Sequence, residues 1–127
     1  MGEYLYEEIT RKIIGAAFDV HNALGKGLSE KAYENALVLR LQQMGLSVEQ
    51  QKFVALSFQN KRIGDQEVDI LVEEKVIVEL KARDRLSKSN VSQLLGYLKN
   101  TKYQLGLLLN FGHKVEIKRL ILSSRNR

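Results

Sequence analysis

The sequence predicts an α/β fold with a mixed sheet that carries helices on its faces. Three observations lead to that expectation. Two amphipathic helical stripes fill the first 45 residues, strand-like patterns run from 47 to 82, and a third helix separates them from a nearly continuous apolar run, Leu105 to Phe111. A run of that kind suits a strand buried on both sides and reached by a helical crossover. The expected order is α-α-β-β-β-α-β-β.

Residues 3–24 read as the first helix. Leu5, Ile9, Ile13, Ala17, Val20 and Leu24 recur at three- and four-residue spacing and form one apolar stripe. Gly25-Lys26-Gly27 stops it. Ser29 is a good N-cap for the second helix, and Leu28 is placed to staple against Tyr33. Tyr33, Leu37, Leu41 and Met44 continue the stripe until Gly45. Residues 47–59 alternate in part through Val48, Phe53, Val54, Leu56 and Phe58. Asn60 to Asp65, with Gly64, reads as a polar turn. Residues 66–72 and 76–82 read as two strands around a tight turn at Glu73-Glu74-Lys75. Residues 89–101 form the third helix, with Val91, Leu94, Leu95 and Leu98 on one face. Val115 to Leu122 alternates as a last strand, and the tail from Ser123 is expected to be loose.

At 127 residues the chain has room for one domain, and one of this size buries enough surface to need no staples. It has no cysteine, which excludes disulfides and cysteine-based zinc sites. No apolar run approaches the roughly 20 residues of a membrane span. The early acids also lack the layout of a signal peptide, so a cytoplasmic protein with no membrane partner is expected. Charge is unevenly spread. From Lys81 onward eleven bases face two acids, a net +9, while residues 1–80 carry −4. A basic half favours a polyanionic partner, against the plainer alternative of a solvated surface with a basic tail.

The informative place is the strand pair around residues 73–75. Strand alternation puts Val68, Ile70 and Val72 on one face, with Asp69 and Leu71 on the other. In the next strand Ile77, Glu79 and Lys81 share a face. If Glu73-Glu74-Lys75 is an odd-length loop, Val72 pairs with Val76 and Asp69 lies across from Glu79. Facing carboxylates repel, and a divalent cation between them would make the arrangement tolerable. An even-length loop would put the two acids on opposite faces. Carboxylate oxygens with open water positions suit Mg²⁺ or Mn²⁺. A neighbouring lysine would orient or deprotonate an attacking water and stabilise charge on phosphorus. The alternative is a weak surface ion pair.

Two further patterns stand beside these. Gly27-Leu28-Ser29-Glu30-Lys31-Ala32-Tyr33 is a G-x-x-E-x-x-Y pattern, and Gln93-Leu94-Leu95-Gly96-Tyr97 is Q-x-x-x-Y. Gln93 and Tyr97 share a helix side that is not the apolar one.

On these anchors the sequence resembles the GxxExxY protein family, a branch of the PD-(D/E)XK nuclease superfamily. They are GLSEKAY (27–33), VDILVEEKVIVELKA (68–82), QLLGYLKNTK (93–102) and LGLLLNFG (105–112), and they span most of the chain. The resemblance implies a restriction-endonuclease-like core, a three-stranded meander followed by a crossover helix and a further strand. It implies a Mg²⁺- or Mn²⁺-dependent nuclease with Asp69 and Glu79 as metal ligands, Lys81 assisting the attacking water, and Glu30 as a supplementary catalytic and metal-shell acid. It also implies that Gln93 and Tyr97 line the nucleic-acid path, where Lys88 and Lys99 of the basic half would add phosphate contacts. Asn90 departs from the family, which commonly has histidine there. His21 and His113 lie outside the motifs and read as structural or surface residues. The other function classes left open are an inactive nucleic-acid-binding module and a protein-interaction scaffold. A chain this short leaves room for a homodimer.

Overall fold

Chain order follows the side-chain pattern. The computed structural model describes residues 5–122 and contains α1 (Glu7–Leu24), α2 (Glu30–Gln43), β1 (Val48–Phe58), β2 (Lys61–Val72), β3 (Val76–Lys81), α3 (Lys88–Asn100), β4 (Leu105–Phe111) and β5 (Val115–Ile121). Residues 3 and 4 of the expected first helix, and the expected tail from 123, lie outside the described residues.

The five strands form one mixed sheet in the order β1-β2-β3-β4-β5. The first three make an antiparallel meander, β4 lies parallel to β3, and β5 returns antiparallel. The parallel step needs a crossover, and α3 supplies it.

One face of the sheet, through Ile70, Val72, Val78, Leu107 and Leu109, packs against Ile13, Ala17, Leu37 and Leu41 of α1 and α2. The other face, through Leu71, Ile77 and Leu108, packs against Leu94 and Leu98 of α3. Strands covered on both faces have no solvent side to alternate with, which is why β3 and β4 read as apolar runs. Gly106 lets α3 close onto β4, since a Cβ there would meet Leu94 at 2.9 Å. Tyr33 stacks on Phe111 with ring centroids 4.7 Å apart, locking α2 to the end of β4. Among the described residues no helix is long and apolar enough to cross a membrane.

Four local expectations are corrected. Asn60 to Asp65 is not a turn, because β2 begins at Lys61. Gln59 and Asn60 alone make the turn, both with positive φ (52° and 63°), the requirement of a two-residue hairpin loop. Gly64 pairs with Leu56, and the register shift beside it absorbs the extra residue Ile63.

Second, Leu28 does not staple to Tyr33 through its side chain, which is exposed; its N–H donates to the Tyr33 hydroxyl at 3.3 Å. Third, Leu24 closes the predicted stripe of α1 but is also exposed. Fourth, Val68 does not share a face with Ile70 and Val72. It packs in the α3 layer, while they pack against α1 and α2. The cause is a break in the hairpin beside it. Gln51 has a left-handed φ of 49°, and regular pairing of β1 with β2 skips the Gln51–Asp69 position although the register continues on both sides. Strand alternation loses its phase across that break.

Candidate active site

The same break frees Asp69. Regular pairing of β2 with β3 runs Val72↔Val76, Leu71↔Ile77, Ile70↔Val78 and stops there. The loop is therefore the odd one, with Lys75 N–H donating to the Val72 carbonyl at 3.0 Å and both Glu73 and Glu74 at a φ of 54°. The next position brings Asp69 opposite Glu79, as the register of an odd-length loop predicted.

Here side chains replace the ladder. Asp69 N–H donates to Glu79 Oε2, and Leu80 N–H donates to Asp69 Oδ2, both at 2.8 Å. Each carboxylate thus takes a backbone donor from the other's strand, where a carbonyl would sit in an unbroken sheet. Charge-assisted bonds of this kind are about twice as strong as neutral ones. They hold the two acids together without any cation, so the repulsion that seemed to require one is answered in part by the backbone itself.

The remaining repulsion appears as protonation. Burial, then the neighbouring Asp69, push the Glu79 carboxyl from its ordinary 4.5 up to about 7; the Asp69 N–H and Lys81 pull the other way. Burial also raises Asp69, opposed by the Leu80 N–H and by Lys81. Lys81, half-buried at the end of β3 and paired in register with Asn110 of β4, is therefore close enough for both acids to feel its charge.

Two acids of α2 reach this place differently. Glu30 is exposed, and its charge raises Asp69 without a hydrogen bond. Glu34, which the sequence reading missed, is buried and raises both Asp69 and Glu79. It accepts from Gln50 Nε2 at 2.7 Å, from Gln51 Nε2 at 2.8 and 3.0 Å, and from Lys31 Nζ at 3.2 Å. Neighbouring strand residues normally point to opposite faces, so two consecutive glutamines reach one carboxylate only because Gln51 is left-handed. A signal for Glu34 existed: it lies between Tyr33 and Leu37, on the buried side of α2.

On the α3 side, Tyr97 is half-buried, and its hydroxyl is raised first by burial and then by Glu79 and Asp69. Gln93 is exposed one turn earlier on the same side, and Lys88 and Lys99 are exposed near the two ends of the helix. Asn90 plays a capping part, its Oδ1 accepting the Ser87 N–H at 3.0 Å. His21 is structural, Nε2 lying 2.8 Å from the Gly112 carbonyl oxygen, whereas exposed His113 lines a small cleft with Lys26 and Arg83 just past the end of β3.

Asp69 and Glu79 are thus brought together, and the charges of Lys81 and Glu30 and the hydroxyl of Tyr97 are near enough to be coupled to them without a hydrogen bond. Among the described residues no three histidine or acid side chains gather tightly enough to enclose an ion. A hard divalent cation that keeps most of its waters needs only one or two carboxylates. Asp69 Oδ1 and Glu79 Oε1 accept no hydrogen bond from the described residues. Two such oxygens on a mutually repelling pair fit that ion.

Comparison with known proteins adds one match: the family model of the PD-(D/E)XK nuclease superfamily covers residues 7–120. Neither the curated proteins nor the solved structures gave a match.

Proposed function

Since the chain belongs to the PD-(D/E)XK nuclease superfamily, we propose that it hydrolyses phosphodiester bonds in nucleic acid at Asp69, Glu79 and Lys81. The observation that carries this reading is the split between β2 and β3. There two carboxylates grip each other's backbone, leave one oxygen each free, and lie within the field of Lys81. Within the superfamily the motifs at 27–33 and 93–97 favour the GxxExxY branch.

Asp69 and Glu79 would hold Mg²⁺ or Mn²⁺, with Glu30 supporting from the rim. Such a cation, when bound, supplies positive charge to the phosphoryl oxygens. Lys81 Nζ donates a hydrogen bond to the attacking water and aligns it with phosphorus, the water's proton passing to solvent and the departing ester oxygen taking one up from solvent. It also stabilises the negative charge that develops as the new P–O bond forms and the ester bond opposite it breaks. Lys26 and Arg83, in the cleft past the end of β3, meet the flanking phosphate, and Gln93 and Tyr97 border the strand's path. Glu34, clamped by Gln50 and Gln51, braces α2 against β1 at the broken position and so sets the opening in which Asp69 stands.

The test is a cleavage assay on single- and double-stranded DNA and RNA with Mg²⁺ or Mn²⁺. Asp69→Asn and Lys81→Met are expected to lower turnover at least about a hundredfold, with unchanged far-UV circular dichroism. Cleavage equal to wild type in both variants would falsify the assignment. Binding without turnover in the wild type would leave the inactive-module reading standing.

A further inference from the structure

The β1–β2 hairpin runs on past the point where β3 pairs with it, and its tip carries features the acid pair does not use. A cleft of roughly 360 Å³ lies between that tip, residues 57–60, and the C-terminal end of α3, where Lys99, Asn100 and Lys102 line it. Phe58 stands at its wall with 59% of its surface exposed. Phe53 and Ile63 of the same hairpin are each 62% exposed as well, so three large apolar side chains there are left uncovered rather than one.

The surroundings are basic. No acid occurs between Arg85 and Val115 or between Gln50 and Gly64. Lys99 and Lys102 in the cleft, and Lys61 just beyond the tip, form no ion pair with an acid among the described residues, though Lys102 Nζ lies 5.5 Å from the Tyr103 ring centroid, whereas Arg62 is taken by Asp65. The tip also offers the side-chain amides of Gln59 and Asn60.

We infer that this cleft is a holding site for unpaired nucleic acid, in which a base stacks on Phe58 and the flanking phosphates meet Lys61, Lys99 and Lys102. Free cations that track a backbone, interleaved with an exposed aromatic face, are how proteins hold single strands without reading sequence. A duplex keeps its bases stacked on one another and offers none to Phe58. The place is separate from the acids, none of which lines it. Lys61 and Asp69 are eight residues apart on β2, at most roughly 26 Å at about 3.3 Å per residue. Tyr97, one turn before that end of α3, packs in the same layer as Val54 and Val68, which lie between the hairpin tip and Asp69 along β1 and β2. A strand seated in the cleft therefore runs along α3 toward the split. The nature of the ligand rests on the nuclease reading; the cleft itself does not.

The experiment measures binding by fluorescence anisotropy, in EDTA so that nothing is cleaved. The probes are a labelled oligothymidylate of about 20 nucleotides and a duplex of the same length. Wild type is expected to prefer the single strand. Phe58→Ala, at an exposed position, is expected to weaken single-strand binding about tenfold and leave duplex binding unchanged. The double variant Lys99→Ala/Lys102→Ala is expected to lower the slope of log affinity against log salt by about 1.4, some 0.7 for each phosphate contact. Wild-type affinity in Phe58→Ala, equal losses for single strand and duplex, or an unchanged salt slope in the double variant would each overturn the inference.

Hydrolysis of bis(p-nitrophenyl) phosphate with Mn²⁺ separates this from the proposed function, because so small a diester reaches the acids without the cleft. Phe58→Ala should hydrolyse it as wild type does. If Asp69→Asn alone matters for cleavage and Phe58 matters for nothing, the cleft assignment fails and the nuclease reading stands. If Phe58 governs binding and nothing is cleaved, the reverse holds.

Discussion

At the residue scale the two acids are stabilised by one effect and destabilised by another. Each accepts a backbone N–H, and each is raised by burial. The consequence is a pH dependence of known sign. Between the ordinary 4.5 and the folded value of about 7, the folded chain holds a proton at Glu79 that the unfolded chain has lost. Stability of the cation-free protein therefore falls as pH rises through that window and is level above it.

Glu79→Gln keeps an oxygen for the Asp69 N–H and removes the charge. It is expected to match wild type near pH 4 and to exceed it at pH 8 by up to about 3 kcal/mol. Glu79→Ala also removes the charge but strands the N–H, at a cost of about 1–3 kcal/mol, so it should gain little or lose. Urea unfolding with EDTA at both pH values decides; a Gln variant no more stable than wild type at pH 8 would count against the buried repulsion.

Much of this was legible in the chain. The odd-length loop sufficed to set Asp69 across from Glu79. Glu34 and its glutamines were harder to see, for two reasons. Acids rarely sit on a buried helix face, and a left-handed φ at Gln51 has no sequence signal, since glycine or asparagine is the usual occupant.

At the element scale one buried amide ties the end of β3 to β4. Asn110, fully buried, accepts the Arg83 N–H at 3.0 Å and donates from Nδ2 to the Arg83 carbonyl at 2.8 Å and to Glu116 Oε1 at 2.9 Å. Glu116 Oε1 also accepts the Leu86 N–H at 3.2 Å, so the loop leading into α3 hangs on the same knot. Asn110 pairs in register with Lys81, and loosening it should move that lysine.

Asn110→Ala is expected to destabilise by about 3 kcal/mol. Asn110→Asp should do no better, because a carboxylate cannot donate to Arg83 and faces Glu116. Chemical denaturation checks both, and losses below about 0.5 kcal/mol would mean the knot carries little. Gly112 beside it has no room for a side chain, since a Cβ would collide with the Arg83 carbonyl.

Elements were legible wherever burial imposes a period. The apolar run of β4 was bounded correctly at Leu105 and Phe111. Where a strand leaves the core the period fades: the start of β2 is hidden because Gly64 resembles a turn residue but is a paired strand residue beside a bulge. Asn110, one polar residue in an apolar run, carried no periodic signal for its three bonds.

At the scale of the whole molecule, the uneven charge has a spatial meaning. Glu30, Glu34, Asp69 and Glu79 all come from the acidic first part of the chain, and they converge where Lys81 opens the basic part. Repulsion held in one place by the rest of the fold is energy that a cation can relieve. Anything that binds the folded chain and not the unfolded one stabilises it by mass action, by about 2.7 kcal/mol at a hundredfold excess over Kd. For a chain of this length that is a rise in Tm of roughly 10 °C. The cation must displace the Glu79 proton, so the rise should be small near pH 5.5 and full at pH 8. Asp69→Asn and Glu79→Gln have relieved the repulsion already and should show little of it at either pH. Thermal melts with EDTA, Mg²⁺ and Mn²⁺ at the two pH values make the comparison. A Tm indifferent to both metals, or one that rises equally in the variants, would mean the split between β2 and β3 is held closed by its own hydrogen bonds and takes no ion.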